Sequence, residues 1–98
     1  MLVNEFNDYD EMNAFIKDEK DLFFTSIVKS ISNAIENDFL RIVIAHFTIL
    51  KTEEIFNITI QRNDWSEMLN LALYHFESTE NYEYCSEIND LINQLSDE

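Results

Sequence analysis

Residues 40–61 read LRIVIAHFTILKTEEIFNITIQ, and this stretch decides the fold. Residues 40–50 are rich in β-branched and aromatic types and too continuously apolar for a one-sided helix, so they predict a strand. Lys51-Thr52-Glu53-Glu54 is a polar break. In the segment that follows, Phe56, Ile58 and Ile60 alternate with Asn57, Thr59 and Gln61, the pattern of a half-buried strand. The two strands predict a hairpin with a four-residue loop.

Outward from the hairpin the apolar spacing changes to 3–4, the helical period. Upstream, Asn7 and Asp8 are candidate caps for a helix over 8–17 that carries Met12, Phe15 and Ile16 on one side. Asp18 or Asp21 is the candidate cap of a second helix over 21–37, with Phe24, Ile27, Val28, Ile31, Ala34 and Ile35 as its stripe. Downstream, Asn63 or Asp64 precedes a helix over 64–77 with Trp65, Met68, Leu69, Ala72, Leu73 and Phe76. After a break at Ser78-Thr79-Glu80, a fourth helix over 80–95 places Tyr82, Cys85, Ile88, Ile92 and Leu95 on one stripe, with Leu91 beside it. The expected fold is α+β in the order α-α-β-β-α-α, a small antiparallel hairpin sheet packed by helices. Residues 1–98 are expected to form one domain, with an acidic helical hairpin at 64–95.

The chain has no glycine and no proline. Left-handed turn positions must therefore fall to Asn or Asp, or be avoided, with Asn37-Asp38 expected to end the second helix. Walker, Rossmann and kinase-type loops, glycine-based nucleophile elbows and EF-hand loops are all excluded. One cysteine allows no internal disulfide, and no apolar run is long enough to span a bilayer. The first twenty residues are acidic and lack an apolar core, so no secretory signal is expected and the predicted compartment is the cytoplasm.

The net charge of −14 is unevenly placed. Residues 1–62 hold six Lys/Arg and eleven Asp/Glu, a net of −5, whereas residues 63–98 hold nine Asp/Glu and no Lys or Arg, a net of −9. Such a surface repels nucleic acid and anionic membranes and suits a basic protein partner, or a solvated helical end that merely keeps the chain soluble. Abundant Asn and Ile with few basic residues suggest an AT-rich coding background, as in many phages.

Leu69 to Leu95, LNLALYHFESTENYEYCSEINDLINQL, resembles the UVR motif of bacterial excision-repair proteins and of protease adaptor and regulator proteins. Glu80-Asn81-Tyr82-Glu83 occupies the motif's turn, Cys85-Ser86 its pair of small residues, and Ile88, Asp90 and Ile92 fall at its offsets. Leu69, Leu73 and Phe76 match its first helix, while Asn89 stands where the motif has Arg. The resemblance covers under a third of the chain. It implies a helical hairpin that pairs with another protein or with a second copy of itself.

Candidate chemistry is sparse. His46, His75 and Cys85 lie apart with no ligand spacing, so structural roles are expected for all three and no cofactor or metal site is predicted. Asp8, Asp10 and Glu11 cluster at the start, where helix capping accounts for Asp8. Glu80, Glu83, Glu87 and Asp90 are spaced 3, 4 and 3 apart, which puts them on one face of a helix about 15 Å long. With Tyr84, which lies off the main stripe, they are the candidate partner-binding residues. Tyr74 and Trp65 are further aromatic candidates.

The expected function is that of a small acidic interaction protein, not an enzyme. A phage-type protein that binds or occludes a basic host factor through the C-terminal hairpin fits this pattern. The alternatives are a small metal-dependent enzyme or factor using clustered carboxylates, and a structural homo-oligomer subunit. A homodimer is expected because an isolated two-stranded hairpin is marginal and leaves both edges open.

Overall fold

The hairpin forms as the alternation requires. In the computed structural model, which describes residues 1–97, β2 (Arg41–Ile49) pairs antiparallel with β3 (Glu54–Gln61) around a four-residue loop. Arg41 lies opposite Gln61 and Ile49 opposite Glu54, with a bulge between Val43 and Ala45. The bulge explains why the first strand reads as continuously apolar. Ile42 and Ile44 face the helices before it, and Ala45, Phe47 and Ile49 face them after it. An extra residue resets the phase of the alternation, so a one-sided strand looks two-sided in sequence.

The sheet has a third strand that the α-α-β-β-α-α order lacks. β1 (Leu2–Phe6) precedes the helices and pairs parallel with the central β2, from Leu2 opposite Ala45 to Phe6 opposite Ile49. Only Phe6 of its five residues is buried, and Asn4 and Glu5 dilute its apolar pattern. The sheet is therefore mixed, in the order β1-β2-β3, and the fold remains α+β.

Two apolar clusters share one face of this sheet, because inward Ile58 packs against both. α1 (Tyr9–Asp18) covers one end with Met12, Phe15 and Ile16. There Phe6, Phe15 and Phe47 meet pairwise at 5.2–6.0 Å in tilted and edge-on contacts, a favoured aromatic geometry. α2 (Lys20–Glu36), α3 (Trp65–Ser78) and α4 (Tyr82–Ser96) enclose the larger cluster, which includes Ile27, Ile31, Ile44, Trp65, Leu69, Phe76 and Ile88. Each of these large side chains contributes about 1.5–3 kcal/mol by leaving water. α4 packs on α3. The other sheet face is open, with Val3, Val43, Ile55, Asn57 and Thr59 exposed.

The helix ends show how the chain manages without glycine. Asp8 caps α1 by accepting from the Glu11 N–H at 3.0 Å, and Glu11 reaches back to the Asn7 N–H at 2.6 Å, a reciprocal arrangement close to a capping box. α2 starts directly after Glu19, with no side-chain cap from Asp18 or Asp21, and α3 likewise gets none from Asn63 or Asp64 because the turn Arg62–Asp64 leads straight into it. At the end of α2, Asp38 takes φ 55° and the Phe39 N–H bonds the Ala34 carbonyl at 3.0 Å, as the Asn37-Asp38 pair predicted. Among the described residues, Glu53 and Glu80 are also left-handed, both at φ 60°, so glutamate takes positions that favour Asn or Asp.

Candidate functional site

The candidate partner-binding residues lie on the α3–α4 hairpin. Its turn closes in the Schellman pattern: the Asn81 N–H bonds the Phe76 carbonyl at 2.8 Å and the Glu80 N–H bonds the Glu77 carbonyl at 3.1 Å. Glu80 supplies the left-handed residue and therefore sits in the turn, ahead of the first residue of α4. The row of carboxylates is accordingly shorter than predicted. Glu83, Glu87 and Asp90 are all exposed on α4 and share one face over about 10 Å.

The buried stripe of α4 is also rotated from its expected position. Cys85, Ile88 and Leu91 are buried, and Tyr84, Ile92 and Leu95 are partly buried against the core. Tyr82 is 65% exposed. The stripe centres on Ile88, and at about 100° per residue Tyr82 lies roughly 120° round the helix from it. Tyr84 takes the inward place: its ring stacks on Phe76 at 4.8 Å with the planes 12° apart. It is thus a half-buried wall rather than a free anchor.

That wall borders a shallow groove of about 210 Å³ between α2 and α4, where Val28, Lys29 and Glu36 face Tyr84 and Glu87. Its size falls below the roughly 300–1,000 Å³ of small-molecule pockets. A second shallow groove, about 220 Å³, lies between the start of α2 and α3, lined by Lys20, Phe24, Leu71, Tyr74 and His75. Tyr74 is 76% exposed at its rim. Leu22 and Leu71 are exposed on the same two helices. They were legible as the leucines that the buried stripes leave out.

The remaining candidates have structural positions. Trp65 is fully buried, donates from Nε1 to the Ile60 carbonyl at 3.4 Å, and lies under the Arg62 guanidinium at 5.1 Å. His75 Nε2 is 2.5 Å from Asp21 Oδ1, and its ring stacks on Phe24. His46 Nδ1 is 2.6 Å from Asn57 Oδ1 on the open sheet face. Burial pushes the Cys85 thiol pKa upward, with the Glu77 charge acting in the same direction, the reverse of what a nucleophile needs. A hydrogen bond to Glu54 raises the Tyr9 phenol in the same sense. Among the described residues, no three His, Cys, Asp or Glu side chains gather as a metal site, and no helix is long and apolar enough to cross a membrane.

No protein-family model, curated protein or solved structure matches the chain.

Proposed function

We propose that this chain is a non-enzymatic contact protein that binds a basic protein partner through the acidic face of α4. The observation that carries the reading is the joint placement of Glu83, Glu87 and Asp90 on one exposed helix face, in a segment with nine acidic residues and no Lys or Arg. Tyr84 and the α2–α4 groove lie beside that row and offer one aromatic wall among polar side chains next to the charge. A charged row of this kind steers encounter and selects partners of opposite sign. The UVR-like spacing of Leu69–Leu95 points to the same use of a helical hairpin. A cytoplasmic setting belongs to the same proposal, supported by the single unpaired Cys85.

The test is capture from a lysate on immobilised wild-type protein and on the Glu83→Gln/Glu87→Gln/Asp90→Gln variant, at low and moderate salt. The proposal expects wild-type capture of a basic protein that weakens with salt, and much weaker capture by the variant at both salts. Equal capture by both proteins contradicts it.

A further inference from the structure

We infer that β3 pairs with β3 of a second copy, joining two three-stranded sheets into one of six strands. This inference is independent of the proposed partner site. Among the described residues, β3 has β2 as its one strand neighbour, so no strand pairs with its outer edge. Natural edge strands are usually guarded by charge, proline or a bulge. β3 has none of these between residues 55 and 61, because the sequence there is IFNITIQ and the bulge lies on β2. β1, the other edge, is shorter and carries exposed Glu5.

Burial points to the same edge. The inward residues Phe56, Ile58 and Ile60 are only half-buried, whereas Ile44, Ala45 and Phe47 of the central strand are at most 2% exposed. Ile55 is 60% exposed. A strand added alongside β3 would cover these side chains and pair the open backbone edge.

The strand is also complementary to itself. An antiparallel pair keeps inward residues together only in alternate registers. The register centred on Ile58 sets Ile58 opposite Ile58, Phe56 opposite Ile60, Asn57 opposite Thr59 and Glu54 opposite Arg62. Both end charges are already held in place: Glu54 accepts from Tyr9, and Arg62 donates to the Phe39 carbonyl at 2.9 Å. Charge favours this meeting point as well. Residues 40–62 hold three Lys/Arg and two Asp/Glu, a net of +1, while residues 63–98 carry −9. Two copies joined at β3 meet where the chain is not acidic.

Sedimentation at tens of micromolar tests the inference. The wild type should run at twice the 11.7 kDa chain mass. The Asn57→Lys/Thr59→Lys variant should run as a monomer with an unchanged far-UV spectrum, because the paired lysines would face one another across the axis. Should that variant unfold, register is read by oxidation in a Cys85→Ala background. An equimolar mixture of Asn57→Cys and Thr59→Cys chains should cross-link, and neither should do so alone. A monomeric wild type, a folded variant that stays dimeric, or an absence of mixed cross-linking would overturn the inference.

Discussion

The β2–β3 hairpin and the α3–α4 hairpin meet the same need, reversing a chain that has no glycine, and both place a glutamate at φ 60° in the turn. Beyond the turn they differ. Residues 40–62 are nearly neutral, and the edge strand carries no charge from residue 55 to residue 61. The helical hairpin satisfies its own backbone and turns a row of carboxylates to solvent. Where the backbone itself must pair, charge is held back. Where only side chains face outward, charge accumulates, and that contrast underlies the proposals of self-association for one hairpin and partner contact for the other.

The sharpest test of the sheet half uses adjacent residues. Ile58 packs against both apolar clusters, while Thr59 is exposed on the open face. Ile58→Asp should cost several kcal/mol and leave the chain largely unfolded, since total stability is on the order of 5–15 kcal/mol. Thr59→Asp should stay within about 1 kcal/mol. Thermal melts of the two variants that coincide would break the assignment of faces.

The shared turn chemistry predicts smaller gains. A non-glycine residue in the left-handed region costs roughly 1–2 kcal/mol; glycine removes that cost but loses about 0.4–1 kcal/mol through its larger unfolded-state entropy, which leaves a small net gain. Glu53→Gly and Glu80→Gly should therefore each raise Tm by a few degrees. A fall in either would mean that the glutamate side chain supports its turn.

Cys85 gives a pH-dependent prediction confined to the helical hairpin. Its thiol pKa is raised in the folded state, so the unfolded chain loses this proton first as pH rises. Stability should be unaffected by the group below the ordinary thiol pKa of about 8.5 and should decline above it. Melts at pH 7 and pH 9.5 check this: the alkaline loss of Tm should be smaller in Cys85→Ala than in the wild type.

Much of this is legible in the sequence. The period change between residues 40–61 and their flanks placed four helices and two strands, and the alternation in Phe56–Gln61 named the buried face correctly. β1 was missed because only Phe6 is buried in it, so a five-residue strand had too few apolar positions to show a period. Spacing alone puts Glu80 in the ladder, but spacing carries no information about which residue must take the left-handed position. Tyr82 and Tyr84 exchanged roles because both fit a 3–4 repeat with Cys85 or Ile88, and only the packing of α4 against Phe76 separates them.

The central claim is a division of labour between the two hairpins, and an amide chemical-shift map of the labelled protein, titrated with the captured partner, tests it most directly. Shifts should concentrate on α4 from Glu83 to Gln94 and on the facing residues Lys29–Glu36 of α2, with β3 unmoved. Shifts concentrated on Ile55–Gln61, with α4 silent, would contradict it.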